Sequence, residues 1–273
     1  MAICHKKLDL LEAQSNFYNS SSFLLKIGCE LEFFLFKKNN QPANINEIEY
    51  FIADFTKFQN SQKNNIILDI IREQGVSQLE VRTKFSDDLV LLSKSIEDIK
   101  IKIANLANER DLIASFVAQP IENDCGNALQ FNISLHDNFG TNLLDNDEIL
   151  HKFCQNLLDK TRQILPSLIS NQDDLKRFDA ELNLNLFKKG KYVAPTNLSY
   201  GINNRTCAIR IAQGYEKNKR IEYRIPSANA NCFQALSAIL EVSKDFMDTS
   251  LIKNDPRFIY GNAFDYKNLE KII

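Results

Sequence analysis

Hydrophobic positions along the chain fall into two rhythms. The run FLLKIGCELEFFLF, ending at Phe36, is apolar enough for a buried strand, yet Glu30 and Glu32 interrupt it two residues apart, on one face. IILDIIRE and QLEVRTKF read as strands joined by a short turn at Gln74, Gly75 and Val76, a hairpin. CGNALQFNISL alternates from Gln130 onward and places Gln130, Asn132 and Ser134 on one face. IASFVAQP, TCAIRIA and RIEYRIP are further short strands. Helical spacing governs residues 6–18, residues 45–58 and the segment capped by Ser86, Asp87 or Asp88, where Leu92, Ile96, Ile99, Ile103 and Leu106 recur every three or four residues. DNDEILHKFCQNLLDKTRQIL is a helix expected to end near Pro166, and NCFQALSAILEVSKDF is another. Strands mixed with long helices in no strict alternation predict an α+β fold. No repeat, low-complexity tract or linker divides the chain.

Composition narrows the picture. A chain of 273 residues with 44% hydrophobic content can fill a proper core. Its formal net charge of -2, spread evenly, leaves no electrostatic footprint for nucleic acid or an anionic membrane. The six cysteines lack CxxC spacing, and the three histidines stand apart from one another, which predicts reduced thiols and no zinc site. The N-terminus is charged where a signal peptide needs an apolar segment, so a cytoplasmic protein is expected. Neither a Walker A loop nor GxGxxG occurs.

Acids inside apolar strands carry the candidate chemistry. Glu30, Glu32, Glu73, Glu80 and Glu222 lie in or beside strand-like segments, where carboxylates are depleted. Arg205, Arg210, Arg220 and Arg224 accompany them. Any single Glu–Arg pair reads most simply as an ion pair on a wet sheet face. Five acids gathered from separate strands call instead for a shared cation, and with arginines nearby the set suits divalent metals held against phosphates.

In order and spacing these segments resemble the catalytic domain of the glutamine synthetase family. GCELEFFLF resembles the family's G-x-E-x-E-F-F-L-F strand, and EQGVSQLE its two acids seven residues apart. FVAQPIENDCGNALQFNISL resembles F-x-x-K-P, an Asn/Gly-rich loop and H-x-H-x-S-L. GKYVAPTNLSYGINNRTCAIRI resembles G-Y-E-A-P followed by N-R-x-A-x-I-R-I, and KRIEYRIPSANANCFQAL resembles R-I-E-x-R-x-P-D-x-x-A-N-P-Y. The resemblance implies a glutamine synthetase/guanidino kinase-like fold, a largely antiparallel curved sheet flanked by helices, as one catalytic domain over residues 1–273.

It further implies ATP as substrate and two magnesium or manganese positions. Glu32, Glu73 and Glu80 would hold the ion near the acceptor carboxylate. Glu30 and Glu222 would hold the ion on the ATP phosphates, with Gln130 replacing a histidine ligand. Arg205, Arg210 and Arg224 would contact the transferring phosphoryl group, Arg205 and Arg224 as catalytic groups. Asn132 stands where the family has a phosphate-contacting histidine, and Ser134, Lys217 and Arg220 match positions around the nucleotide.

Departures fall on the substrate side, at the pocket expected around Gly126, Phe187 and Val193. The acid of G-Y-E-A-P is Val193, the arginine six residues earlier is Phe187, and the asparagine of the substrate loop is Cys125. The family's N-terminal β-grasp domain has no counterpart, so a homo-oligomer other than the usual ring is expected. Retained metal and phosphate groups with altered substrate groups imply an ATP-dependent carboxylate–amine ligase for a pair other than glutamate and ammonia. A catalytically silent homologue that binds nucleotide or a partner protein is the alternative. A guanidino-group phosphotransferase shares the broad fold but has no motif here.

Overall fold

The computed structural model describes residues 2–62, 65–213 and 218–273, with side chains from His5 onward. A long strand β1 (Leu24–Lys37) organises one sheet. The strands β2 (Ile67–Arg72) and β3 (Gln78–Thr83) form the expected antiparallel hairpin, with β3 against β1. On the other edge of β1 lie β5 (Leu129–His136) and, further along, β4 (Leu112–Ser115). The sheet continues through β8 (Arg220–Tyr223), β7 (Ile209–Ala212) and β6 (Tyr200–Ile202), in the order β2-β3-β1-β5-β8-β7-β6. Every pairing is antiparallel except β6 with β7.

Strand alternation separates the two faces. Leu25, Ile27, Cys29, Leu31, Phe33 and Leu35 of β1, with Phe131 and Ile133 of β5 and Ile221 and Tyr223 of β8, join one hydrophobic core. The apolar stripes of α3 (Leu89–Asn108) and α4 (Asp147–Leu168) cover it, while α1 (Ala2–Ser21) and α6 (Cys232–Ser243) pack on each other and on these two. Tyr223 and Thr161 of α4 share a hydrogen bond of 2.9 Å across that layer. Of the three polar residues expected to cap α3, Asp88 does so, accepting from Leu91 N at 2.9 Å. In α2 (Ile45–Ser61), Asn44 and Glu47 form a reciprocal capping box.

Several details differ from the sequence expectation. The first helix runs three residues or more beyond residues 6–18 at each end. Pro166 sits inside α4, which closes two residues later, and only the start of IASFVAQP is a strand. A short helix α5 (Ala180–Lys188), capped by Asp179, and the strand β6 were not signalled. No described helix is long and apolar enough to cross a membrane.

Candidate functional site

The sheet face opposite the core is charged, and register explains how. Glu32 pairs with Glu80, Glu30 with Gln130 on one side and Arg82 on the other, Asn132 with Glu222, and Glu222 with Arg210. Acids from β1, β3 and β8 therefore stand on one surface. A cavity of about 290 Å³ opens there, lined by Glu30, Glu32, Glu73, Glu80 and Gln130 together with Gly126, Val193, Arg205 and Arg224. Glu222, Asn132, Arg210 and Arg220 adjoin it on the same face without lining it. Ser134 lies further along β5, donating to Lys26 O at 3.3 Å. Lys217 falls outside the described residues, and Phe187 lines a separate pocket.

Two relays connect arginines to acids through amides. Arg220 Nε donates to Asn132 Oδ1 at 2.9 Å, and Asn132 Nδ2 donates to Glu30 at 2.8 Å. Gln130 Nε2 donates to Glu32 at 2.7 Å while its oxygen faces Arg224 Nε at 3.4 Å. Glu32 also accepts from Ala128 N at 2.8 Å. Glu222 is fully buried between Arg210, at 2.5 Å, and Arg224, at 2.9 Å.

The carboxylates differ accordingly. Burial and the neighbouring Glu73 push Glu32 up to about 8. Burial, then the charges of Glu30, Glu32 and Glu73, raise Glu80 well above its ordinary value. Burial works against the charge of Glu222 too, but Arg224 and Arg210 outweigh it and hold this acid low. Glu80 is 4% exposed, and its carboxylate accepts no hydrogen bond and pairs with no cation among the described residues. The nearby Arg82 is committed to Asp69 instead.

Loops fix the rim. Asp124 accepts from Val76 N (2.8 Å), Cys125 N (2.9 Å) and Lys191 Nζ (2.6 Å), joining the hairpin turn, the 118–128 loop and the 191–194 segment. Gln78 adds bonds to Gly75 N, Gly126 O and Asn127 Oδ1, each 3.0 Å. A Cβ on Gly126 would stand 2.7 Å from Ala118 O, so only glycine allows this approach. The sequence reading missed Arg177. It is buried, donates to the carbonyls of Arg224, Ile225 and Pro226, and lines the cavity. No strand or motif marks QDDLKRF, so nothing in the local pattern singles it out.

As a home for a divalent ion the two ligand groups are unequal. Glu32 of β1, Glu80 of β3 and Glu73 just past the end of β2 offer hard oxygen donors, and the unpartnered Glu80 suits a cation. They face one cavity without converging: no group of three described His, Cys, Asp or Glu side chains stands at metal-holding geometry. In the second group Glu222 turns its oxygens to guanidinium groups, and Gln130 turns its amide nitrogen to Glu32. That group does not fit a cation in this arrangement.

Comparison with known proteins gives a consistent picture. The family model for the glutamine synthetase catalytic domain matches residues 9–270. Gamma-glutamylputrescine synthetase PuuA of Escherichia coli K12 is 28% identical over 204 residues, covering 73% of this chain and 41% of that protein. Glutamine synthetase of Sulfolobus acidocaldarius is 31% identical over 186 residues, 66% of this chain and 38% of that protein. The chain thus spans about two fifths of the length of these curated relatives. A solved GmaS/ADP complex shares the fold, with a TM-score of 0.81 at 18% identity over 97% of this chain and 64% of that one.

Proposed function

Because the chain belongs to the glutamine synthetase catalytic-domain family, we propose that it is an ATP- and divalent-metal-dependent carboxylate–amine ligase acting on a pair other than glutamate plus ammonia. In such a reaction a substrate carboxylate oxygen attacks the γ-phosphorus of ATP and ADP leaves, giving an acyl phosphate. The amine nitrogen then attacks the acyl carbon, phosphate leaves with the bonding electrons, and the new amide gives a proton to solvent. The observation that carries this reading is the cavity wall of Glu30, Glu32, Glu73 and Glu80 with Arg205 and Arg224 beside it.

Each residue has a role on this reading. Glu32, Glu73 and Glu80 would hold a divalent ion, which when bound neutralises charge between the substrate carboxylate and the phosphoryl group. Arg205, whose guanidinium stacks on Tyr192 at 4.4 Å and meets no described carboxylate, is available to the phosphoryl oxygens. Arg224 is fixed by Glu222 and by the carbonyls of Val193 and Arg205, so it orients the site. Arg210 and Arg220 keep the nucleotide side positive. Val193 is buried and apolar and cannot accept a proton from ammonium. PuuA is named for an amine other than ammonia, which supports a changed amine here. The protein would work in the cytoplasm, in nitrogen metabolism.

ADP release in manganese or magnesium, measured over a matrix of carboxylates and amines, tests the proposal. Turnover is expected with a pair other than glutamate and ammonia; brisk glutamine formation would contradict it. One observation favours the alternative of a silent nucleotide-binding homologue, the double pairing of Glu222 with Arg210 and Arg224. Tight ATP binding with no ADP release from any pair would support that alternative.

A further inference from the structure

A second pocket, of about 440 Å³, meets the acidic cavity at Tyr192, Val193 and Arg205, which line both. Its walls differ in kind. Phe187, Tyr192, Ile202, Phe258 and Tyr260 present apolar surface, and no carboxylate lines it among the described residues. Phe187, Tyr192 and Ile202 are 37%, 48% and 47% exposed and Tyr260 is 84% exposed, a costly amount of apolar surface to leave in water around one concavity.

The walls are held in shape. Ile259 N donates to Tyr200 O at 2.8 Å, and Gly201 has no Cβ where one would stand 2.6 Å from Ile259 O. Asn204 Nδ2 donates to Gly261 O at 2.6 Å, and Thr206 Oγ1 bridges Asn204 Oδ1 and Ala263 N. Phe258 and Tyr260 meet edge to face at 4.8 Å, and Phe187 leans on Phe264 at 5.6 Å.

The charges at the neck decide what enters. Arg205 is the ionised residue of the neck and already occupies the face of Tyr192, while Lys191, on the pocket wall, is paired with Asp124. The distal ammonium of a diamine would meet the Arg205 guanidinium and, among the described residues, no carboxylate on the pocket wall. We propose that this pocket receives a neutral aryl or branched alkyl substituent of the reactant whose reacting group lies in the acidic cavity. This deepens the ligase reading and rests on it for the word reactant.

The test separates the two. Binding of 3-phenylpropionate, phenethylamine, glutamate and putrescine is measured by titration calorimetry on the whole chain, on Tyr260→Ala and on Ile202→Asp, with thermal midpoints to confirm folding. One aryl probe is expected to bind more tightly than glutamate or putrescine, and its Kd to rise about fivefold or more in either variant. Which aryl probe binds identifies the reactant, carboxylate or amine, that carries the group. Absence of aryl binding, or aryl binding indifferent to both variants, overturns the assignment, even if ADP is released with small polar pairs and the ligase reading survives. Variant-sensitive aryl binding without ADP release from any pair keeps the pocket assignment and sinks the ligase reading.

Discussion

Single residues show how neutral amides keep a charged surface together. Asn132 and Gln130 each accept from a guanidinium with the oxygen and donate to a carboxylate with the nitrogen, which one amide can do in a single rotamer. Glu80 has no such help. It is buried opposite Glu32 in register, with Glu30 and Glu73 also near, and meets no described partner. Burial and the neighbouring acids raise the folded Glu80 carboxyl, which costs stability at any pH above the ordinary carboxylate range. Glu80→Gln removes that cost at nearly constant volume, so the protein free of divalent ions should melt higher at neutral pH. The same change removes an anionic oxygen donor, so manganese should bind about tenfold more weakly or worse, and its stabilisation should shrink. Thermal scans with and without manganese check both signs. A variant that melts lower than the parent without metal, or keeps the full manganese effect, would show that Glu80 is not waiting for a cation.

Elements were legible where one period ran long enough. The stripe of α3 and the alternation of β5 came straight from spacing, and so did the shared face of Glu30 and Glu32. Strand β6, Tyr200–Ile202, is too short to show a period, and its parallel pairing with the nearby β7 leaves no mark in the spacing. Arg177 was invisible because its partners are backbone carbonyls, which have no sequence signature. Asp124 belongs to the same class, since it ties three loops through two backbone N–H groups and Lys191. Burial opposes its charge, but these donors outweigh burial and hold the carboxyl below its ordinary value. A lowered folded value means stability that is present above the unfolded aspartate value of about 3.9 and is lost as pH falls through the folded one. Asp124→Asn should therefore cost about 1–3 kcal/mol at pH 7 and much less near pH 3. Urea unfolding at both pH values measures it, and an equal cost at each would mean that charge is not what joins the loops.

Over the whole molecule, one continuous sheet makes the core and the charged face two sides of the same strands. The row of register pairs Glu80–Glu32, Glu30–Gln130 and Asn132–Glu222–Arg210 crosses β3, β1, β5, β8 and β7, while the opposite side chains of those strands sit in one hydrophobic cluster. A ligand spanning that row cannot be released by local opening of one strand without disturbing the core beneath. Binding at about 100 times Kd adds about 2.7 kcal/mol to the folded state, and here the gain should reach all five strands together. Hydrogen exchange with a non-hydrolysable ATP analogue and manganese should slow amides in β1, β3, β5, β7 and β8 by a common factor. Helix α2, which packs on β2 and α3 away from the row, should change only as far as global unfolding governs its exchange. Protection confined to the 118–128 loop and the hairpin turn would place the ligand on the rim, and the charged row would then be a surface that no ligand bridges.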